Sequence, residues 1–206
     1  NGSLPRIDCG GSGVGITVNA PNVTIDGFEI TNCNIGIRSY GGPSNLGSLT
    51  INNSKIYKNT ENGILLVNDT FETVNLNNLS IYENGGNGIG LGQITVTKNI
   101  NAKSLVIEKS NYHGLFISES TIENLDVVNS VFRESQTSGY SGITIGTKKS
   151  TINNLNINKT TFNDNNGAGI SIIQAAHQLQ NILITNSQFI KNKESGIVFG
   201  GEASSK

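Results

Sequence analysis

The chain lacks tryptophan and methionine, and among its 206 residues are only three prolines, two cysteines and two histidines. It also lacks an excess of either charge, because acidic and basic residues are scattered singly and the formal net charge is −1. Without a basic stripe to neutralise phosphates, nucleic acid is not an expected partner. No apolar run approaches the roughly 20 residues of a membrane-spanning helix, so no membrane span is expected.

The two cysteines, Cys9 and Cys33, together with two histidines do not make a zinc site. They form either a disulfide in a secreted protein or two buried thiols, and the sequence leaves both readings open. If the disulfide forms, we expect the two residues on adjoining turns, with Cα atoms within about 7 Å of each other.

Asparagine and glycine are abundant, at about 15% and 12% of the chain. Both residue types tolerate positive φ, so their abundance predicts many tight turns. Ile, Val, Leu and Phe remain frequent enough to exclude a disordered chain.

A glycine followed by an aliphatic residue recurs at intervals of 21 to 28 residues. The pairs are Gly15-Ile16, Gly36-Ile37, Gly63-Ile64, Gly88-Ile89, Gly114-Leu115, Gly142-Ile143, Gly169-Ile170 and Gly196-Ile197. Such a period indicates a repeat architecture in which each unit buries its apolar face against its neighbours.

Three short segments that alternate apolar and polar residues lie within each period, which is the pattern of β-strands. The first contains the Gly-Ile pair, the second has an apolar-x-apolar motif such as Val74/Leu76, and the third has a single central Ile or Phe. These third-segment residues are Ile30, Ile56, Ile81, Ile107, Phe132, Phe162 and Phe189.

The pattern predicts an all-β fold: a right-handed, single-stranded parallel β-helix of about seven coils and three short parallel sheets. The right-handed sense follows from the strong preference of parallel crossovers. We expect one domain over residues 1–206, either an excerpt of a longer protein or an uncapped unit, with coils beginning near 15, 36, 63, 88, 114, 142, 169 and 196.

A polar column in phase with this core lies three residues after each third-segment residue. It consists of Cys33, Asn59, Asn84, Ser110, Ser135, Asn165 and Asn192. Asn59, Asn84, Asn165 and Asn192 are expected to hydrogen-bond along the axis as an amide ladder. A turn preference for asparagine is an alternative explanation for part of the pattern.

Residues 15–33, with Gly-Ile-x-Val, Asn-Val-Thr-Ile-Asp-Gly-Phe and Ile-x-Asn-Cys, resemble the repeat of pectate-lyase-like proteins. They are most similar to the NosD-type carbohydrate-binding and sugar-hydrolase repeats. Residues 186–197, Asn-Ser-x-Phe-x-x-Asn-x-x-x-Gly-Ile, are similar to repeats of bacterial and archaeal surface proteins. The resemblance implies the fold strongly and the function weakly, since this architecture serves lyases, hydrolases, adhesins and scaffolds.

The resemblance implies that an enzyme would carry clustered acids, for calcium or for acid–base chemistry, on the outer face of one sheet. The outward residues expected on the Gly-Ile strands contain no carboxylate. The charged residues expected beside that sheet are Asp69, Glu72, Lys98, Glu119 and Lys148, which are also explained as solvated loop charges. We therefore expect no catalysis, no cofactor and no metal. Only under the alternative of a polysaccharide lyase or glycoside hydrolase would these five residues be the catalytic candidates and Ca²⁺ a possible cofactor.

An alternative use of the outer face is binding. Arg38, Tyr40, Leu65, Tyr112 and Phe116 are candidates for it, because sugars stack on aromatic rings and exposed aliphatic residues favour protein contacts. Leu65, Val67, Phe116, Ile173 and Val198 are all expected to be exposed there. His113 precedes Gly114 where other coils have Asn62 or Asn87, which favours a substituted turn residue over a catalytic base.

These patterns predict a non-enzymatic module at the cell surface or outside the cell, such as a filament, sheath, surface layer or adhesin scaffold. The expected partners are other copies stacked end to end or flanking segments of a longer chain, because neither end shows a capping helix. Glycans are the alternative partner, under a polysaccharide-binding or polysaccharide-degrading function.

Overall fold

A computed structural model describes residues 2–40, 45–146, 148–173 and 178–200, and within these ranges every regular element is a β-strand. The first coils contain β1 (Arg6–Asp8), β2 (Val14–Val18), β3 (Val23–Asp26), β4 (Glu29–Thr31), β5 (Ile35–Tyr40), β6 (Ser48–Asn52) and β7 (Lys55–Tyr57). The middle coils contain β8 (Ile64–Val67), β9 (Thr70–Asn77), β10 (Ser80–Tyr82), β11 (Ile89–Gly92), β12 (Thr95–Lys103), β13 (Val106–Glu108), β14 (Leu115–Ser118), β15 (Thr121–Val128) and β16 (Val131–Arg133). The last coils contain β17 (Ile143–Ile145), β18 (Thr151–Asn158), β19 (Thr161–Asn163), β20 (Ile170–Ile173), β21 (Gln178–Thr185), β22 (Gln188–Ile190) and β23 (Ile197–Gly200).

The strands form three parallel sheets in which each strand pairs with its equivalents in the coils above and below. Sheet 1 is β2-β5-β8-β11-β14-β17-β20-β23, sheet 2 is β3-β6-β9-β12-β15-β18-β21, and sheet 3 is β1-β4-β7-β10-β13-β16-β19-β22. The expected parallel β-helix of about seven coils is confirmed. In the described part of the chain, no helix is long and apolar enough to cross a membrane.

The register of all three sheets agrees with the sequence repeat. Ile30, Ile56, Ile81 and Ile107 are successive partners in sheet 3, and Phe132, Phe162 and Phe189 continue the same column. The three phenylalanine rings stack with centroids 5.4 and 5.0 Å apart. One hydrophobic cluster runs through the coils, so the burial of each side chain depends on the coils beside it.

The recurring glycine before each aliphatic residue is required by close packing at a corner of the coil. A Cβ atom on Gly36 would lie 2.5 Å from Ile56 Cγ2 and 2.6 Å from the Gly63 carbonyl oxygen. At Gly142 the ring of Phe162 would be 2.8 Å away. Only glycine lets this backbone approach the inward side chain of sheet 3.

Left-handed residues mark two corners of nearly every coil. The corner from sheet 2 to sheet 3 uses Gly27, Asn53, Asn78, Ser104, Asn129, Lys159 and Asn186, and the corner after sheet 3 uses Asn32, Lys58, Glu83, Lys109, Glu134, Asp164 and Lys191. Asparagine is the most frequent non-glycine residue at these positions, which explains part of its abundance.

The expected asparagine ladder is present in two parts. Asn59 Nδ2 donates to Asn84 Oδ1 at 2.9 Å, and Asn165 Nδ2 donates to Asn192 Oδ1 at 2.9 Å. Ser110 and Ser135 separate the two parts, and the buried hydroxyl of Ser110 has no hydrogen-bond partner among the described residues. The amide-to-amide bonds of the ladder are therefore interrupted at the middle of the rod.

The N-terminal coil differs from the sequence expectation. The sequence predicts that the first coil begins near Gly15. In the structure an earlier strand, β1, pairs with β4 and places Ile7 beside Ile30. Cys9 and Cys33 form a disulfide with Cα atoms 4.8 Å apart. The bond therefore ties this additional strand to the following coil.

The outward apolar residues of sheet 1 are less exposed than the sequence predicts. All of them are only half-exposed: Leu65, Val67, Phe116, Ile173 and Val198. Outward Thr144 is fully buried, because His113 covers it and bonds its hydroxyl. The segment between β16 and β17 brings Tyr140 onto this face, so the face is less open than the strand pattern alone predicts.

Candidate functional site

The outer face of sheet 1 has a gap where one strand presents glycine twice. In β11 the outward positions are Gly90 and Gly92, flanked by Leu65 of β8 and Phe116 of β14. A cavity of about 490 Å³ lies over this gap, which we call the glycine notch. Its lining consists of Leu65, Val67, Asn87, Gly90, Leu91, Gly92, Gln93, Phe116, Ser118, Glu119 and Lys148.

Residue choice, and not backbone geometry, produces the glycine notch. Neither Gly90 nor Gly92 has a positive φ, so a larger residue would not strain the chain there. A Cβ atom would lie 3.1 Å from Leu65 Cδ1 at the first position and 3.4 Å from Val67 Cγ1 at the second. Side chains there would fill the cavity with only small shifts of the neighbours.

An aromatic cluster adjoins the glycine notch. Tyr112 stacks on Tyr140 with ring centroids 4.8 Å apart, and His113 stacks on Phe116 at 5.3 Å. His113 also meets Tyr140 edge to face at 4.7 Å. These four residues and Asn87 line a second cavity of about 260 Å³. Because Phe116 lines both cavities, they share one wall.

His113 belongs to a second polar ladder. Asn87 Oδ1 accepts the His113 backbone N–H at 3.1 Å, and His113 Nδ1 accepts the Ser141 backbone N–H at 3.1 Å. Thr144 Oγ1 lies 2.8 Å from the same Nδ1 and donates to it, since that nitrogen already accepts an N–H. Burial lowers the pKa of His113 from 6.5 to about 4. His113 is therefore neutral, with its proton on Nε2.

Four of the five charged candidates form two separate ion pairs. Glu72 contacts Lys98, and Glu119 lies 2.8 Å from Lys148 Nζ. The fifth candidate, Asp69, is buried and only 4% exposed. Hydrogen bonds from Lys148 and Gln93 lower the pKa of Glu119, which keeps that carboxylate ionised. In the described ranges, no three His, Cys, Asp or Glu side chains cluster as metal ligands.

The ionised state of Glu119 limits its chemistry. A general acid needs a pKa near the working pH, whereas the pKa of this carboxylate is lowered. Glu119 and Lys148 instead form a polar rim at one edge of the glycine notch. In this state the Glu119 carboxylate can accept hydrogen bonds but has no proton to donate as a general acid.

The predicted binding residues fall into two groups. Tyr112 and Phe116 lie together in the aromatic cluster, and Leu65 forms the opposite wall of the glycine notch. Arg38 belongs to β5, so the positions of Leu65 and Gly90 separate it from Phe116. The side chain of Tyr40 and residue His177 lie outside the described part of the structure.

Two components of the site were not predicted as functional. Gly90 and Gly92 could have been recognised, because no other Gly-Ile strand of the sequence has glycine at both of its outward positions. Tyr140 could not, because it lies in the irregular segment between β16 and β17, which matches no repeat position.

No protein-family model matches this chain, and no curated protein matches it. Its function must therefore be argued from the geometry of its own residues.

Proposed function

We propose that this chain is a structural module of the cell exterior, a rigid β-helix rod that is extended by a further coil stacked on its last described one. The further coil comes from a second copy or from a flanking segment of a longer chain. The Cys9–Cys33 disulfide supports an oxidising, extracellular location.

The exposed core of the last coil carries this proposal. Phe199 is 59% exposed, whereas Ile172, its partner in the preceding coil, is 6% exposed. Within the described ranges, strands β21, β22 and β23 pair on one side only. An unpaired edge with apolar side chains favours the addition of another strand layer.

The two ends of the rod have matching columns. Ile7 begins the sheet 3 column that Phe189 ends, and both are half-buried. Asp8 accepts hydrogen bonds from Asn32, which begins the column of left-handed residues that ends at Lys191. End-to-end stacking would place the ammonium group of Lys191 near the carboxylate of the next copy's Asp8, an attraction between opposite charges.

A charged residue at the exposed edge tests the proposal. Phe199→Glu should abolish end-to-end association, because stacking would bury an unpaired carboxylate, while Phe199→Leu should retain it. If second copies supply the further coils, electron microscopy and light scattering of the native chain should show rods longer than one unit, with an axial repeat of about 35–40 Å per copy. If the native chain and the Phe199→Glu variant assemble equally, or the native chain stays a single short rod at high concentration, this edge is not used by a second copy.

The glycine notch favours glycan binding as a second candidate function. An apolar floor, an aromatic wall and a rim of Gln93, Glu119 and Lys148 offer both stacking and hydrogen bonds to a sugar ring. Calorimetric titration with neutral and uronic-acid oligosaccharides tests it. Gly92→Val should abolish binding by filling the cavity, while Thr17→Val, outward and exposed on the same sheet, should leave it unchanged. No binding by the native chain would exclude this candidate.

A further inference from the structure

Sheet 2 has the longest strands of the fold. β9, β15, β18 and β21 each contain eight residues and β12 contains nine, whereas every strand of sheet 3 contains three. Consecutive coils align in register except at a single irregularity in β12, between Val96 and Asn99. The result is a broad surface of parallel strands with regularly placed outward positions.

Amide side chains dominate this surface, which we call the amide face. One outward row contains Thr50, Asn75, Asn101, Asp126, Asn156 and Leu183, the next contains Asn52, Asn77, Lys103, Val128, Asn158 and Thr185, and a third contains Thr73, Asn99, Asn124, Asn154 and Asn181. Most of these side chains are half-exposed.

Hydrogen bonds between coils hold the amides in fixed positions. Asn101 Nδ2 donates to Asn75 Oδ1 at 2.8 Å, and Asn154 Nδ2 donates to Asn124 Oδ1 at 2.8 Å. Asn181 continues the second ladder at 2.8 Å. Each ladder bond uses one of the two amide hydrogens and one of the two oxygen lone pairs, which leaves a donor and an acceptor on side chains such as Asn101. Asn154 differs, because its Nδ2 also donates to the Glu123 carbonyl oxygen. Because the ladders already restrict the side chains, binding a partner costs little further conformational entropy.

The amide face differs from the outside of sheet 3 in charge. Sheet 3 presents ion pairs such as Lys55–Glu29 and Arg133–Glu108 on its outside. On the amide face the carboxylate of Asp126 accepts a hydrogen bond from Asn156. The other charged residues of the sheet 2 strands are Asp26, Lys103, Glu123 and the Glu72–Lys98 ion pair, so charges are sparser along these strands than along those of sheet 3. Leu183 is 56% exposed on the same surface. A surface with few charges, many amides and an exposed leucine is suited to burial in an interface.

A second copy of this chain is the partner that fits the amide face best. Its amides repeat at the same strand spacing of about 4.8 Å, so donors and acceptors of two faces can match over their whole length. The seven strands of sheet 2 contain 50 residues and cover roughly 800 Å², about the 800 Å² per partner of a stable interface. We propose that two copies pair laterally through their amide faces, with the two rods side by side. This pairing does not depend on the end-to-end stacking proposed above.

A matched pair of valine substitutions tests the lateral pairing. Val128 lies on the amide face and Val106 on the outside of sheet 3, and neither has a role in a side-chain ladder. In the end-blocked Phe199→Glu background, we expect sedimentation equilibrium to give a dimer mass. Val128→Lys should weaken the dimer about tenfold or more by burying an ammonium group, and Val106→Lys should not change it.

The same measurement separates the other outcomes. Leu183→Lys provides a second test at an exposed site if Val128→Lys does not fold, as judged by circular dichroism. A dimer that survives both substitutions would overturn the proposal. The proposal would also be overturned if the Phe199→Glu chain stayed monomeric at high concentration. Binding of an added polysaccharide to the amide face of that monomer would not rescue it. End-to-end stacking would show separately, as fibres one rod wide that form only from the chain with Phe199 intact.

Discussion

His113 shows how a single residue acquires its role from the neighbouring coils. In the second polar ladder, the Asn62 and Asn87 side chains each accept a backbone N–H from the coil that follows. The Nδ1 atom of His113 likewise accepts the backbone N–H of Ser141. The imidazole can accept this bond only while Nδ1 carries no proton. The histidine is therefore both a ladder member and a group whose protonation removes a buried bond.

We expect the stability of the chain to fall as the pH is lowered from 6.5 to about 4. The folded-state pKa of His113 is about 4, below its ordinary value of 6.5, so in this range the unfolded chain binds a proton that the folded chain excludes. The full difference corresponds to about 3 kcal/mol, reached below the folded pKa. Urea unfolding at pH 7 and at pH 4 measures it.

His113→Asn is the control, because asparagine fills the equivalent position in the two preceding coils and keeps an acceptor for Ser141. Carboxylates with lowered pKa values, such as Asp8 and Glu119, contribute to acid sensitivity in both chains. The loss between pH 7 and pH 4 should therefore be smaller in the variant by about the histidine contribution. Equal losses in the two chains would mean that His113 is not protonated on unfolding in this range.

At the scale of the strand, the sequence was sufficient to predict the register. Each Gly-Ile pair places its strand in sheet 1, and each isolated Ile or Phe places its strand in sheet 3, because a one-residue slip would turn the apolar residues outward. The ladder at Asn59 and Asn84 followed from the same phase. The right-handed sense of the coil rests on the general preference of parallel crossovers and stays a prediction.

Elements without a repeat signature could not be predicted in the same way. β1 has one inward residue, Ile7, like every strand of sheet 3, but no Gly-Ile pair and no apolar-x-apolar segment stand before it in the sequence to establish its phase. The aromatic cluster depends on Tyr140, which an irregular segment carries over sheet 1. The alternation of apolar and polar residues predicts outward amides on sheet 2. Their arrangement in continuous rows becomes apparent only when the outward residues of successive coils are aligned.

At the scale of the whole molecule, the rod behaves as a row of coils, each stabilised mainly by its two neighbours. Its two described ends are held differently. The first coil is joined to the second by the Cys9–Cys33 bond, while the core residues of the last coil, such as Ile182 and Phe189, are only half-buried. Local opening should therefore begin at the C-terminal coil.

Hydrogen exchange should reveal this order in the Phe199→Glu chain, in which end-to-end stacking is blocked. We expect amide hydrogens of β21, β22 and β23 to exchange fastest, and those of β9 to β12, which pair on both sides, to exchange slowest. Reducing the disulfide should release the N-terminal coil, because closing a loop of this length stabilises by about 3 kcal/mol, or roughly a hundredfold in the exchange of β1 and β2. The middle coils should not respond, since their neighbours remain in place. If reduction accelerated every coil equally, the rod would open as one cooperative unit, and the nearest-neighbour description of its stability would be wrong.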